Sequence, residues 1–481
     1  MNLSSQRLQF PRTTIRTVSY LLVLLPAALG FLYVHSFGVN VVYADSWAMV
    51  GSFAKLSSGT LGISDLLILH QEHWILFPQI AMLLLGTMTE WNSIAEMYLT
   101  QTCLVGTLVC FLLVFRDSIK SKPAFKSAFF PLFMIPISLP VFSFVQHQNM
   151  LGGFGVTFVF AQTFGVLALY LLYVLRYEGR RKAVFAIALA SATVASFSSV
   201  PGLCVWPAGL LQLFIGPLEK PIKKVFIVLW GLAGLGVWSA YFIQYASKNN
   251  RPSPQGEEPV SVLSALTHPL AATEYFLSLL GSGLLGKESF PFAAGLLLAC
   301  LVLMSLFLVY KDGRGLGEYS FWISLLLWSF FILAFIVVGR LAQQELDLQH
   351  GLARYAHSRY TSYSILAVVS IYGLLATTAL GKRSSIRRPC IRTILLVLFS
   401  GTVLLSAGIA YSRGIEVGRE VKESREKAAF VLSTYKSQPD RIFYERELFA
   451  RRKGAEVIRP RAAVLERLGY SVFSESSKAQ R

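Results

Sequence analysis

Charge is what this chain has least of. Charged residues fill 15% of its 481 positions, where a soluble domain carries about a quarter. That shortage excludes an ordinary soluble fold. Acids are scarcer than bases, with 26 Asp and Glu against 44 Lys and Arg. Cysteine is nearly missing. Cys103, Cys110, Cys204 and Cys300 fall in apolar runs, Cys390 falls in a basic loop, and no Cys-x-x-Cys occurs. A disulfide framework and a thiolate zinc site are therefore both excluded. The chain shows no internal repeat of the kind that marks an inverted-repeat transporter. No small-residue cleavage site follows a short apolar core near the start, so 17–37 reads as a retained span rather than a removable signal.

What the chain does have is long apolar runs. Hydrophobic residues make up 54% of it, and the mean hydropathy is +0.55. A helix of about 20 apolar residues crosses the hydrocarbon core. The pattern predicts an all-α polytopic membrane protein with about 11 transmembrane helices. They are placed at 17–37, 94–115, 128–145, 154–175, 183–199, 201–216, 225–246, 291–310, 320–340, 361–380 and 393–412. A long first extracytoplasmic loop, 38–93, follows the first span. The transmembrane domain ends near 412, and residues 413–481 form a small helical tail.

Loop charge sets the orientation. One set of loops holds 21 basic residues, and the opposite set, before the tail, holds seven. Basic loops stay in the cytoplasm. The N-terminus is expected inside and the tail outside. The segment 75–89 is apolar enough to span, but crossing there would invert every later basic loop. It is short, contains Pro78 and has Gly86 near its end, so an interfacial or re-entrant helix is expected. The net charge of +18 is thus a membrane signature and does not imply nucleic acid. Under this scheme all seven histidines fall at or beyond the outer face, which suggests a polar working side.

The first loop is where chemistry can gather. It has Tyr43-Ala44-Asp45-Ser46-Trp47 at one end and His70-Gln71-Glu72-His73-Trp74 at the other. Asp45 is expected near the outer surface, where a carboxylate can take a proton or hold a divalent metal. Tyr43 and Trp47 are expected either as a sugar-stacking wall or as interfacial aromatics. His70 and His73, at i and i+3, are expected to share a helical face, with Glu72 between them. No cofactor is fixed by these residues; a divalent metal is the one candidate. Arg359, where the chain re-enters the membrane, can hold a phosphate bidentately. Arg354, Arg340, Tyr360, Tyr355 and His147 are further substrate-side candidates. The amphipathic stretch 271–280, followed by Gly281-Ser282-Gly283, is expected to form a lid with a glycine turn.

A basic N-terminus, one span, an acidic outer motif, a His-bearing segment and a Pro-bearing helix ending in Gly follow in that order. This order resembles the GT-C superfamily of integral membrane glycosyltransferases. The nearest likeness is to the protein O-mannosyltransferase and lipid A aminoarabinose transferase branch. Asp45-Ser46 stands at that branch's acidic pair. His70–His73 with Ile75-Leu76-Phe77-Pro78 stands at its His-Pro-Pro-Leu-like segment. The second acid is replaced by Ser46, and the Pro-Pro is missing. The resemblance covers about residues 1–127. It implies transfer of a sugar from a polyprenyl-phosphate donor to a glycan, lipid or protein acceptor on the outer face, with Asp45 as base or metal-facing carboxylate. Glu72, His70 and His73 join it by proximity in sequence. Two other classes fit the span count: a transporter or flippase of lipid-linked saccharides, and a polysaccharide polymerase.

Overall fold

The computed structural model describes residues 11–120, 123–177, 179–249, 262–286, 290–349, 358–380, 391–445 and 454–475. The chain is an all-α polytopic membrane protein. Among the described residues, nine helical segments are long and apolar enough to cross a membrane. They are Arg12–Phe37, Ser93–Ile119, Phe130–Met150, Gly153–Val174, Lys220–Ala246, Pro291–Asp312, Leu316–Leu341, Ser358–Ala379 and Ile391–Ser433. Many side chains on these segments face outward and are apolar, such as Leu21, Leu232, Leu303 and Leu405. In water that surface would be costly; in lipid it is expected.

Two shorter helices complete the path. Arg181–Ser196 and the apolar segment Val200–Ile215 form a helical hairpin. At one end, the Val200 amide donates to His73 Nδ1 at 3.3 Å. At the other, Gly317 packs against Ile215 and Pro217. The expected spans 183–199 and 201–216 thus correspond to two helices shorter than the nine segments long and apolar enough to cross a membrane. Helix Leu76–Met88 has 13 residues, about 20 Å at 1.5 Å per residue, too short to cross.

The expected span at 128–145 is not one regular helix. Phe130–Met134, Ile135–Val141, Phe144–Gln146 and His147–Met150 are successive short pieces, alternately 3-10 and α. Pro131, Pro136 and Pro140 explain the breaks, because proline removes a backbone donor and clashes with the preceding turn. Non-helical backbone at this depth is tolerated only inside protein, and most of this segment is buried.

The expected glycine turn and lid is also corrected. Residues 269–285 form one continuous helix, Pro269–Leu285. Gly281 and Gly283 lie inside it and are buried. A Cβ on Gly281 would stand 1.9 Å from the Pro291 carbonyl oxygen, and one on Gly295 would stand 1.8 Å from that of Leu277. The glycines let two helices touch backbone to backbone, the use that small residues have in membranes.

The boundary at 412 falls within a single helix, Ile391–Ser433. Beyond it the chain folds back on the first loop. The Ser471 amide donates to the Glu90 carbonyl at 2.8 Å, and Asn40 Nδ2 donates to the Ser471 carbonyl at 3.3 Å. Ile458, Leu465 and Phe473 share one apolar cluster with Trp47, Phe53 and Trp91. The tail thus braces the loop that carries Asp45.

Candidate active site

Two turns of the first loop build the site. Ala44–Ala48 is a 3-10 helix that carries Asp45. The segment 70–73 is a tight hairpin: the His70 amide donates to the His73 carbonyl at 2.8 Å, and the His73 amide returns to the His70 carbonyl at 2.9 Å. The expected helical face for His70 and His73 is therefore replaced by an antiparallel pair. The reason is local: Gln71 takes a left-handed φ of 54°, which closes a hairpin and excludes a helix. Ala44, beside Asp45, is left-handed as well, at 50°. Such conformations are strained for residues other than glycine and cluster at working sites.

The hairpin is held from behind by Tyr241. Its hydroxyl donates to the Glu72 carbonyl at 2.5 Å and accepts from the Trp74 amide at 3.1 Å. Nothing in the sequence marks Tyr241, which reads as one more aromatic in an apolar span.

Side chains from distant parts of the chain converge on these turns. Asp45 Oδ2 lies 3.5 Å from Arg359 Nη1, and Asp45 Oδ1 lies 3.9 Å from His70 Nε2. Beside this group, Glu72 is paired with Arg340 and lies 3.6 Å from His73 Nε2. Each of these six side chains is between 14% and 27% exposed, so the cluster is sheltered yet reachable. Arg340, a secondary candidate by sequence, is as central as Arg359.

Arg359 is fixed through its backbone. Asn149 Nδ2 donates to its carbonyl at 2.9 Å, and its amide donates to Gln148 Oε1 at 3.2 Å. The broken span thus ends in the turn that sets Arg359. The guanidinium lies over the rings of Phe158 and Tyr360, 5.7 and 5.2 Å from their centroids. Aromatic faces stabilise a cation held out of water.

The electrostatics follow from burial and pairing. Burial holds the His73 imidazole well below its usual value, at about 4, so it is neutral near pH 7. Burial pushes Glu72 upward, but the permanently charged Arg340 and Arg359 beside it, with a backbone hydrogen bond, outweigh burial and keep the carboxyl below its usual range. Glu72 is therefore ionised.

The remaining sequence candidates sit elsewhere or in other roles. Trp47 is fully buried, and its carbonyl accepts from Arg461 Nη1 at 3.1 Å. As a sugar-stacking wall it is corrected to an interior anchor, because the returning tail covers it. The Tyr43 ring is covered by the Arg425 guanidinium, so its face is occupied too. His147 Nδ1 lies 3.3 Å from Ser358 Oγ, in the turn behind Arg359. Tyr360 is buried within the cluster. Arg354 and Tyr355 lie outside the described residues. Among the described residues, no group of three or more His, Cys, Asp or Glu side chains converges as metal ligands would. Asp45 and Glu72 turn to separate arginines instead.

The chain matches no known protein-family model, no curated protein sequence and no solved structure. What it does must be argued from the site.

Proposed function

We propose that this chain is a membrane glycosyltransferase that moves a sugar from a polyprenyl-phosphate-linked donor to an acceptor on the extracytoplasmic face. The observation that carries the reading is the pairing of Asp45 with Arg359 at 3.5 Å, across more than 300 residues of sequence. It places a carboxylate beside a guanidinium at the mouth of a span, where a lipid phosphate meets water. The loop charges favour the extracytoplasmic side for this site.

The chemistry follows from the pairing. A donor phosphate competes with Asp45 for Arg359, since a guanidinium holds phosphate and carboxylate with the same fork. Asp45 is then released toward His70 and accepts the acceptor hydroxyl proton. The acceptor oxygen bonds to the anomeric carbon as the bond from that carbon to the phosphate oxygen breaks. The carrier phosphate leaves with the bonding electrons, its charge held by Arg359. Glu72, Arg340 and His73 form the second wall.

The test is a transfer assay with the purified chain in vesicles, a polyprenyl-phosphate-linked sugar and a hydroxyl acceptor, following carrier release. Release should fall about 100-fold or more in Asp45→Asn, the scale of lost general-base help, with insertion unchanged. Near-normal release by that variant would remove Asp45 from catalysis. A second reading, a flippase of lipid-linked saccharides, is favoured by the broken segment Phe130–Met150. It predicts movement of the intact lipid between leaflets without carrier release.

A further inference from the structure

The site holds two guanidinium groups, and they meet at one oxygen. Arg359 Nη2 donates to the Tyr360 hydroxyl at 3.5 Å, and Tyr360 has a side-chain hydrogen-bonding contact to Arg340 as well. Two groups that each reach one oxygen stand within about 6–7 Å of one another. Their carboxylate partners differ: Asp45 for Arg359 and Glu72 for Arg340. A second observation points to an anionic ligand. Arg359 Nε is buried and has no hydrogen-bond partner among the described residues. A buried, unsatisfied donor on a cation is costly to keep and is matched by a ligand oxygen. A single phosphodiester, with one negative charge, needs one such guanidinium. Two adjacent ones suit two adjacent phosphoryl groups.

Resting on the glycosyltransferase reading, we infer that the donor is linked through a diphosphate, with one phosphoryl group on Arg359 and the other on Arg340. Tyr360, whose hydroxyl oxygen accepts from the guanidinium groups, sits between them. Arg340 keeps Glu72 on one edge while it binds, because a guanidinium presents five donors in a fork. The transfer step balances with no further reactant. The bond from the sugar's anomeric carbon to the near phosphate oxygen breaks, and its electrons stay on the polyprenyl diphosphate. The acceptor oxygen bonds to the carbon, and its proton passes to Asp45.

The experiment titrates the purified full chain in detergent with farnesyl diphosphate and, separately, with farnesyl monophosphate, at one fixed salt concentration. The diphosphate should bind at least about tenfold more tightly, the lower end for one added charge-assisted contact. Arg340→Gln should weaken diphosphate binding at least about tenfold more than monophosphate binding, abolishing most of that preference, and Arg340→Lys should restore part of it. Equal affinity for the two ligands in the parent chain overturns the diphosphate assignment and leaves the lipid-phosphate reading standing. So does equal weakening of both ligands by Arg340→Gln in folded protein. Failure of both ligands to bind overturns the lipid-phosphate reading as well. The comparison of ligands on the parent chain needs no variant, so misfolding of Arg340→Gln cannot mask the answer.

Discussion

His73 is a neutral imidazole in a charged neighbourhood. Its Nδ1 accepts from the Val200 amide, a role that a proton there would abolish. Burial keeps its value near 4, against 6.5 ordinarily. Between those pH values the unfolded chain binds the proton and the folded chain does not, so stability drops as pH falls through that window. The contribution of His73 is on the order of 3 kcal/mol. Glu72, held low, acts in the same direction at lower pH. Unfolding midpoints in detergent should fall between pH 6.5 and 4, and His73→Gln should flatten that slope. An unchanged slope would mean that His73 is solvated in the folded chain.

Among the elements, the hairpin of Pro269–Leu285 with Pro291–Asp312 depends on the absence of side chains at Gly281 and Gly295. Gly295→Val forces a branched side chain into a backbone contact. It should destabilise the protein by about 1–3 kcal/mol or more, read as a lower unfolding temperature; no loss would mean the helices are not in contact. Sequence reading places Gly281 and Gly283 in an outer lid, because a Gly-Ser-Gly triplet after an amphipathic stretch suggests a turn. Helix-packing glycines and turn glycines are the same letters; only the partner backbone separates them. Proline in 128–145 has a clearer meaning, because Pro136 and Pro140 interrupt a regular helix wherever they stand. What was not readable is that the broken end would carry Asn149 to the Arg359 carbonyl, since that pairing spans 210 residues. Trp47 and Tyr43 failed as an open wall for a similar reason. The residues that meet them, Arg461 on the Trp47 carbonyl and Arg425 over the Tyr43 ring, come from the far end of the chain. Asp45 and His70–His73 were legible as candidates because scarce polar groups stand out in an apolar chain, although the hairpin between the histidines was not.

At the scale of the whole molecule, loop charge alternates along the sequence, and we propose that the basic loops share one face while the first loop, the site and the tail share the other. The positive-inside rule assigns the basic face to the cytoplasm. A tag after Arg481 should therefore be labelled by an impermeant reagent on intact cells, and a tag before Met1 should not; the reverse pattern would place the site inside. The central claim is that Arg359 holds the donor phosphate. The measurement that tests it most directly is the kinetics of Arg359→Ala with a polyprenyl-linked sugar as varied donor. The account predicts a donor KM raised by roughly 10- to 150-fold, the worth of a charge-assisted contact of about 1.5–3 kcal/mol, with kcat at saturating donor changed far less. A donor KM equal to that of the parent chain would contradict it.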